Sequence, residues 1–326
     1  MAVIFSTHDI HPRAADLLRG AGDLVVASAP DPDTLRAEGR HADIIIVRAP
    51  LPADLFEAPA RLRAAIRHGA GLDMIPVEAA TQAGVLVANV PGVNAQTVAE
   101  HVMMVTLALQ RRLRLVDRDL RRLGWTAGRA HADAGHDLAG RTLGIVGMGN
   151  VGRAVLRIAR HGFGLDVLAA TRSPASLPDG MRGVDLDTLM AQSDVVVLCC
   201  PLTAATRGMV SRQQIARMKS GAFLVNVARG PVVDETALVD ALQSGAIAGA
   251  ALDVFEHQPL APDHPLLALD NVILTPHVAG ISADSMERMG MGAAREAIRV
   301  LAGELPVNLC NPEVEARYRA RFAAAP

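Results

Sequence analysis

Aromatic side chains are scarce in this 326-residue sequence: six phenylalanines, one tyrosine and one tryptophan. Proteins that hold single-stranded nucleic acid stack bases on aromatic faces beside a basic groove. Neither is in evidence here, because 32 basic residues, nearly all arginine, are offset by 34 acids for a formal net charge of -2. Nucleic acid is therefore not an expected partner. Cysteine is equally sparse, and Cys199, Cys200 and Cys310 are an odd set with no CxxC spacing, which gives no basis for a disulfide framework or a zinc knuckle. His131 and His136 stand in the loop-like "RAHADAGHDLAG" without a second ligand pair, so no metal site is expected. Absent too is any apolar run of the roughly 18 residues that a membrane span needs. The start, "MAVIFSTHDI", lacks the basic and long apolar regions of a secretory signal. A cytoplasmic protein without membrane contact is the expectation.

What the chain does have is apolar residues, half of the total. Its length exceeds what one core usually organises and predicts two domains. Short β-branched runs alternate with helical stretches throughout, the pattern of a parallel α/β protein. The first half offers "VIFST", "LVVAS", "DIIIV", "LRAAI" and "GVLVANV"; the second offers "TLGIVG", "DVLAAT", "DVVVLCC", "AFLVNV", "GAALDVF" and "NVILTPH". The last six are almost continuously apolar, as strands covered on both faces are, and six strands make a full dinucleotide-binding sheet. The expected fold is α/β, with two doubly wound parallel-sheet domains. Between the halves, Val98, Val102, Val105, Leu109, Leu113, Val116, Leu120 and Leu123 recur every three or four positions, which predicts one helix over 97–123. "TVAE" at its start resembles a capping box formed by Thr97 and Glu100. A helix of about 27 residues, roughly 40 Å, is longer than one domain needs and is expected to bridge domains or subunits. "GWTAGRAHADAGHDLAG" then reads as a linker.

"TLGIVGMGNVGRAVLRIA" sets Gly147, Gly149 and Gly152 between a buried strand and an amphipathic helix. In that setting GxGxxG predicts a pyrophosphate cradle: the glycines permit a tight turn and close approach, and the helix start, with Asn150 and Val151, offers free N–H groups. A dinucleotide-binding chain usually places an acid at the carboxyl end of the next strand, where it accepts from the ribose 2′-OH. Asp166 opens that strand instead, and its carboxyl end carries Thr171, Arg172 and Ser173. A guanidinium there would pair with a 2′-phosphate, so NADP is the expected cofactor. NAD with a solvent-facing Arg172 is the alternative.

The chemistry of an open parallel sheet gathers at the carboxyl ends of its strands. Those ends hold Arg229 in "NVARGPVVDETAL", Asp253 in "GAALDVFEHQPL" and His277 in "NVILTPHVAG". With these motifs the chain resembles the D-isomer-specific 2-hydroxyacid dehydrogenase family. The likeness runs over nearly the whole length, from "AAIRHGAGLDMIPVEAA" and "NVPGVNAQTVAEH" through "LAGRTLGIVGMGNVG", "PLTAATRGMV", "NVARGPVVDE" and "ALDVFEHQPL" to "TPHVAG". The resemblance implies a discontinuous, flavodoxin-like substrate domain (1–98 and 288–326) around a Rossmann-type cofactor domain (99–287). It further implies a homodimer through the helix 97–123. It makes Arg229 the group that binds substrate carboxylate and carbonyl, His277 the acid/base, and Asp253 the holder of the nicotinamide carboxamide. Backbone N–H groups of Ala70 and Gly71 would take the substrate carboxylate. Cys200, Pro201, Thr206 and Ala228 join the cofactor-binding set on the same basis. Hydride delivery to a 2-oxo acid builds negative charge on the carbonyl oxygen, which calls for a fixed cation and a proton donor. Arginine and histidine are those types.

One position departs from the family pattern. Gln258 stands before the proline of "EHQPL", where the family usually has a glutamate against the catalytic histidine. An amide orients an imidazole but carries no charge to raise its pKa. Glu256, two residues earlier, would take that role only with the loop reshaped. Arg48, after "DIIIV", and His68, before the glycine loop, are candidates for a second anionic group on the substrate; a solvated arginine and a loop histidine explain them equally. Thr97 is likewise a candidate phosphate contact or a plain cap. The expected activity is NADPH-preferring reduction of a small 2-oxo acid such as glyoxylate or hydroxypyruvate to the D-2-hydroxy acid, the stereochemistry resting on the resemblance alone. Two alternatives stand beside it: an NAD-dependent relative acting on a larger or doubly anionic acid, and a dinucleotide-sensing interaction protein like the corepressors that share this scaffold. No appended regulatory module is expected after "VNLCNPEVEARYRARFAAAP".

Overall fold

The computed structural model describes residues 1–57, 59–178 and 181–322. The chain forms two compact units, Met1–Asn94 with Ser282–Pro326, and Ala95–Ile281. In the first, β1 (Val3–Ser6), β2 (Asp23–Val26), β3 (Ile44–Val47), β4 (Ala64–Arg67) and β5 (Leu86–Ala88) pair in parallel in the order β2-β1-β3-β4-β5. Helices α1 (Pro12–Arg19), α2 (Pro32–Gly39) and α3 (Val77–Gln82) make the crossovers. The "IIIV" of β3 is buried at every position, as the apolar run predicts for a central strand covered on both faces.

The second unit opens with α4 (Ala95–Gln110), α5 (Leu113–Leu123) and α6 (Trp125–Arg129). Its sheet then builds from β6 (Thr142–Val146), α7 (Asn150–Phe163), β7 (Asp166–Ala170), β8 (Arg182–Gly183), α8 (Leu186–Gln192), β9 (Val195–Leu198), α9 (Arg212–Arg217), β10 (Phe223–Asn226), α10 (Glu235–Gln243), β11 (Gly249–Leu252) and β12 (Val272–Leu274). The order is β12-β11-β10-β9-β6-β7-β8, all parallel, so the winding reverses beside β6. Both units are thus doubly wound parallel sheets. The seventh strand, beyond the six in the hydrophobic pattern, is β8: two exposed residues that leave no apolar signature. Two further helices, α11 (Ala283–Leu301) and α12 (Glu315–Phe322), return to the first unit, where Ala293, Ala294, Ala297 and Val300 pack with Ile4, Ile44 and Ile66.

The helix expected over 97–123 is broken. Arg112 takes a left-handed conformation, φ 51°, between α4 and α5. Apolar spacing runs unbroken through Leu109 and Leu113, so periodicity alone carries no trace of the break. Burial does: α4 buries Val98, Ala99, Val102, Val105 and Leu109, whereas no residue of α5 is buried. The capping box is also absent. The helix begins at Ala95, so Thr97 lies inside its first turn, and Glu100 accepts from Gln96 Nε2 at 2.7 Å in an i,i+4 pair. The expected linker contains the short α6, with Trp125 exposed. Among the described residues no helix is long and apolar enough to cross a membrane, and no cluster of three or more His, Cys, Asp or Glu side chains is placed to hold a metal ion.

Candidate active site

The turn from β6 into α7 is built as a cradle. Gly147 has φ 99°, and a Cβ there would stand 2.8 Å from the Cys200 backbone; one at Gly152 would stand 2.1 Å from the Gly147 carbonyl oxygen. At Gly149, the residue before α7, a Cβ would meet nothing within 4 Å. The turn is therefore closed on its inner side and open where the helix N-terminus faces out, the arrangement that receives a pyrophosphate. Asn150, Val151 and Gly152 form the first turn of α7. A cavity of about 470 Å³ adjoins the cradle, and Gly147, Gly149, Thr171, Arg172, Ser173, Cys200, Pro201 and Thr206 all line it. Thr206 secures its far wall, donating from Oγ1 to the Pro201 carbonyl at 2.7 Å and accepting from Thr203 N–H at 2.8 Å. Burial pushes the Cys200 thiol up, so it lines the cavity as a neutral group.

Asp166 opens β7, away from this cavity, but a carboxylate does line it. Asp185 was not singled out in the sequence because it lies far beyond the expected spacing, after β8. It caps α8, accepting from the N–H and hydroxyl of Thr188 at 2.8 Å each; those bonds lower its pKa.

At the other strand ends, hydrogen bonding continues past the sheet. Asp253 N–H donates to the Asn226 carbonyl at 3.0 Å, and His277 N–H to the Asp253 carbonyl at 2.8 Å. The loops carrying Arg229, Asp253 and His277 are thereby held side by side on adjacent strands. Buried Asn226 braces the Arg229 loop through Oδ1, which accepts from Ala228 N–H at 3.0 Å, and Nδ2, which donates to the Arg229 carbonyl. Gly230 lets that loop lie on the next: a Cβ would come within 1.9 Å of the Phe255 backbone. Neither Asn226 nor Gly230 was marked by the sequence motifs, although both sit inside "NVARG".

His277 has φ 58°, a conformation that costs a bulky residue on the order of 1–2 kcal/mol. Asp253, 3% exposed, holds it there. Its Oδ1 accepts from Val278 N–H at 2.8 Å and from Thr275 Oγ1 at 2.6 Å, and its Oδ2 accepts from Ala279 N–H at 2.9 Å. The His277 ring is exposed, with Nδ1 3.1 Å from Gln258 Oε1. Gln258 Nε2 donates to the Phe255 carbonyl at 3.5 Å, which turns Oε1 toward the imidazole. Since Oε1 only accepts, Nδ1 carries the hydrogen, and Nε2 is the nitrogen that gains and loses a proton. Glu256 is exposed; its N–H donates to Glu235 Oε2 at 3.0 Å, an anchor that belongs to the loop and not to His277.

A family model described as "D-isomer specific 2-hydroxyacid dehydrogenase, NAD binding domain" matches residues 103–279. The chain belongs to that family. Glyoxylate reductase of Korarchaeum cryptofilum is 42% identical over 86% of this dehydrogenase and 85% of its own length. Glyoxylate/hydroxypyruvate reductase B of Yersinia pestis is 36% identical over 87% and 88%. Among solved structures, the NADPH-dependent glyoxylate/hydroxypyruvate reductase of Sinorhizobium meliloti, in complex with citrate, superposes with a TM-score of 0.85 at 30% identity, covering 96% of this chain and 99% of that one. The dehydrogenase is accordingly an oxidoreductase that uses a nicotinamide dinucleotide, and its second unit contains the dinucleotide-binding sheet.

In the first unit, the remaining candidates of the dehydrogenase sit at the carboxyl ends of β3 and β4. Arg48 N–H donates to Thr7 Oγ1 at 2.8 Å, its guanidinium donates to the Asp9 carbonyl, and burial draws its pKa below the ordinary arginine value. Ala70 and Gly71 follow β4 with both carbonyls engaged, by Asn89 Nδ2 at 2.6 Å and Arg67 Nε at 3.1 Å. His68 is 3% exposed, and burial, with the Arg48 and Arg67 charges, pushes it down to about 3. A neutral ring offers an anion a hydrogen bond and no charge.

Proposed function

We propose that this dehydrogenase reduces a small 2-oxo acid of the glyoxylate or hydroxypyruvate type to its D-2-hydroxy acid, with NADPH preferred. The observation that carries the reading is the seating of His277, whose ring is oriented by Gln258 through Nδ1 on the strand end next to Asp253. The dinucleotide supplies the hydride. Arg229 binds the substrate carboxylate and draws charge from the carbonyl, and His277 Nε2 delivers the proton that the new alkoxide takes up. The first unit, the substrate domain, offers the N–H groups of Ala70 and Gly71 for a carboxylate and Arg48 for a second anionic group. Asp253 keeps the turn at His277 fixed and would hold the nicotinamide carboxamide, and Ala228 and Thr97 would complete the cofactor contacts. Exposed Leu113, Leu120, Leu123 and Trp125 on α5 and α6 are the face through which two copies pair.

Arg172, exposed on the cofactor cavity, supports NADPH, while Asp185 on the same cavity supports NADH as the second reading. A panel of 2-oxo acids assayed with each dinucleotide decides between them. The expected result is turnover of C2 to C4 acids, faster at limiting NADPH than NADH. Arg172→Asp should then weaken NADPH by roughly ten- to hundredfold, the worth of one charge-assisted bond, and spare NADH. Tight dinucleotide binding without turnover of any acid would indicate a sensor instead.

Gln258→Glu should move the alkaline limb of the reduction pH profile upward. A carboxylate beside Nδ1 favours the imidazolium, so the proton-donating form survives to higher pH. A limb that stays in place would remove Gln258 from its assigned role.

A further inference from the structure

We propose that His101, in the middle of α4, is a positioning residue for His277, acting through the Thr275 hydroxyl and the Asp253 carboxylate. The inference rests on reading His277 as the acid/base. His101 Nε2 lies 3.4 Å from Thr275 Oγ1. The Thr275 hydroxyl has one hydrogen, and its 2.6 Å contact with Asp253 Oδ1 commits that hydrogen to the carboxylate, which only accepts. The Thr275 oxygen can therefore only receive from His101, so His101 must carry its hydrogen on Nε2. Burial lowers the His101 pKa against the pull of Asp253, which keeps the ring neutral with one N–H to give.

The hydrogens thus run one way, from His101 to Thr275 to Asp253. The same carboxylate receives the N–H groups of Val278 and Ala279, immediately after His277. Thr275 N–H is bound to the Leu252 carbonyl and His277 N–H to those of Asp253 and Thr275, so the five residues 275–279 form one clamped turn. Its left-handed residue is the one that must present an imidazole at a constant angle. A strained backbone persists only where the surroundings over-determine it, and His101 adds a tie from α4 to those that Leu252 and Asp253 supply. It joins the turn to a helix whose inner face is packed on the sheet core.

Glyoxylate reduction at saturating NADPH tests this with His101→Leu, His101→Gln, Thr275→Val and the double variant His101→Leu/Thr275→Val, each checked for thermal stability. His101→Leu should lower kcat by about five- to tenfold, the worth of one hydrogen bond, with KM within about twofold. His101→Gln, whose amide nitrogen can donate at a similar reach, should recover most of the loss. The double variant should be no slower than Thr275→Val alone, because both substitutions cut one chain. An unchanged kcat in His101→Leu, a glutamine variant as slow as leucine, or fully additive losses would overturn the proposal. His277→Asn assayed beside them separates the two readings: if it turns over normally, the acid/base assignment falls and takes the positioning role with it. If it is inactive while His101→Leu matches the wild type, only the positioning role falls.

Discussion

Asparagine at position 277 is expected to lower kcat/KM for the 2-oxo acid by on the order of 10³, within the range that a positioned general acid contributes. Dinucleotide affinity should change by no more than about twofold. The side-chain amide of asparagine can still approach Gln258, but it neither binds nor releases a proton in the working range, so orientation survives while proton delivery is lost. The pH profile carries the diagnostic sign. The proton-donating form exists below the imidazole pKa and disappears as pH rises through it, so wild-type reduction falls on the alkaline side. In His277→Asn that limb should vanish from the residual rate. A residual rate that still falls with the same midpoint would assign the proton to another group.

Arg229→Gln should cost a similar factor, about 10² to 10³ in kcat/KM, as does removal of a group placed where charge develops. Here the loss should divide between KM, through the substrate carboxylate, and kcat, through the carbonyl oxygen. Arg229→Lys keeps the charge and loses the planar fork. It should recover a part of kcat and little of KM. The Arg229 guanidinium also donates from Nη1 to the Ala228 carbonyl at 2.6 Å, but Asn226 beneath the loop and the close approach that Gly230 permits are expected to keep the backbone in place in either variant. Stopped-flow measurement of hydride transfer, with cofactor titration as the control, checks both substitutions. If Arg229→Gln leaves KM and kcat unaltered, the residue is a loop brace and the anion receptor lies elsewhere.

Much of this architecture is legible one residue at a time. Arg229, Asp253 and His277 each follow an apolar run, and in a parallel sheet every such run ends on the same edge, so the three could be placed together before any distance was known. The residues that hold them could not. Thr275 and His101 are 174 positions apart, and half-buried His101 looks in the sequence like one polar residue among the apolar residues of a helix. Asp185 was hidden for the opposite reason: a two-residue exposed strand before it erased the spacing by which a cofactor acid is usually found. The break at Arg112 leaves no mark because apolar periodicity records which side chains are oily and not whether one continuous helix carries them.

By itself, the order of residues determined the strand runs, the parallel class, the glycine turn and the chemical types available at the strand ends, because each depends on local pattern and on the fixed periods of helix and strand. Tertiary structure alone decided how those types are deployed: which nitrogen of His277 holds its hydrogen, that Gln258 and not Glu256 is its partner, and that Asp253 spends its oxygens on the turn. Hydrogen-bond direction depends on which donors and acceptors a three-dimensional packing brings within about 3 Å, and the chain separates those atoms by up to 174 residues.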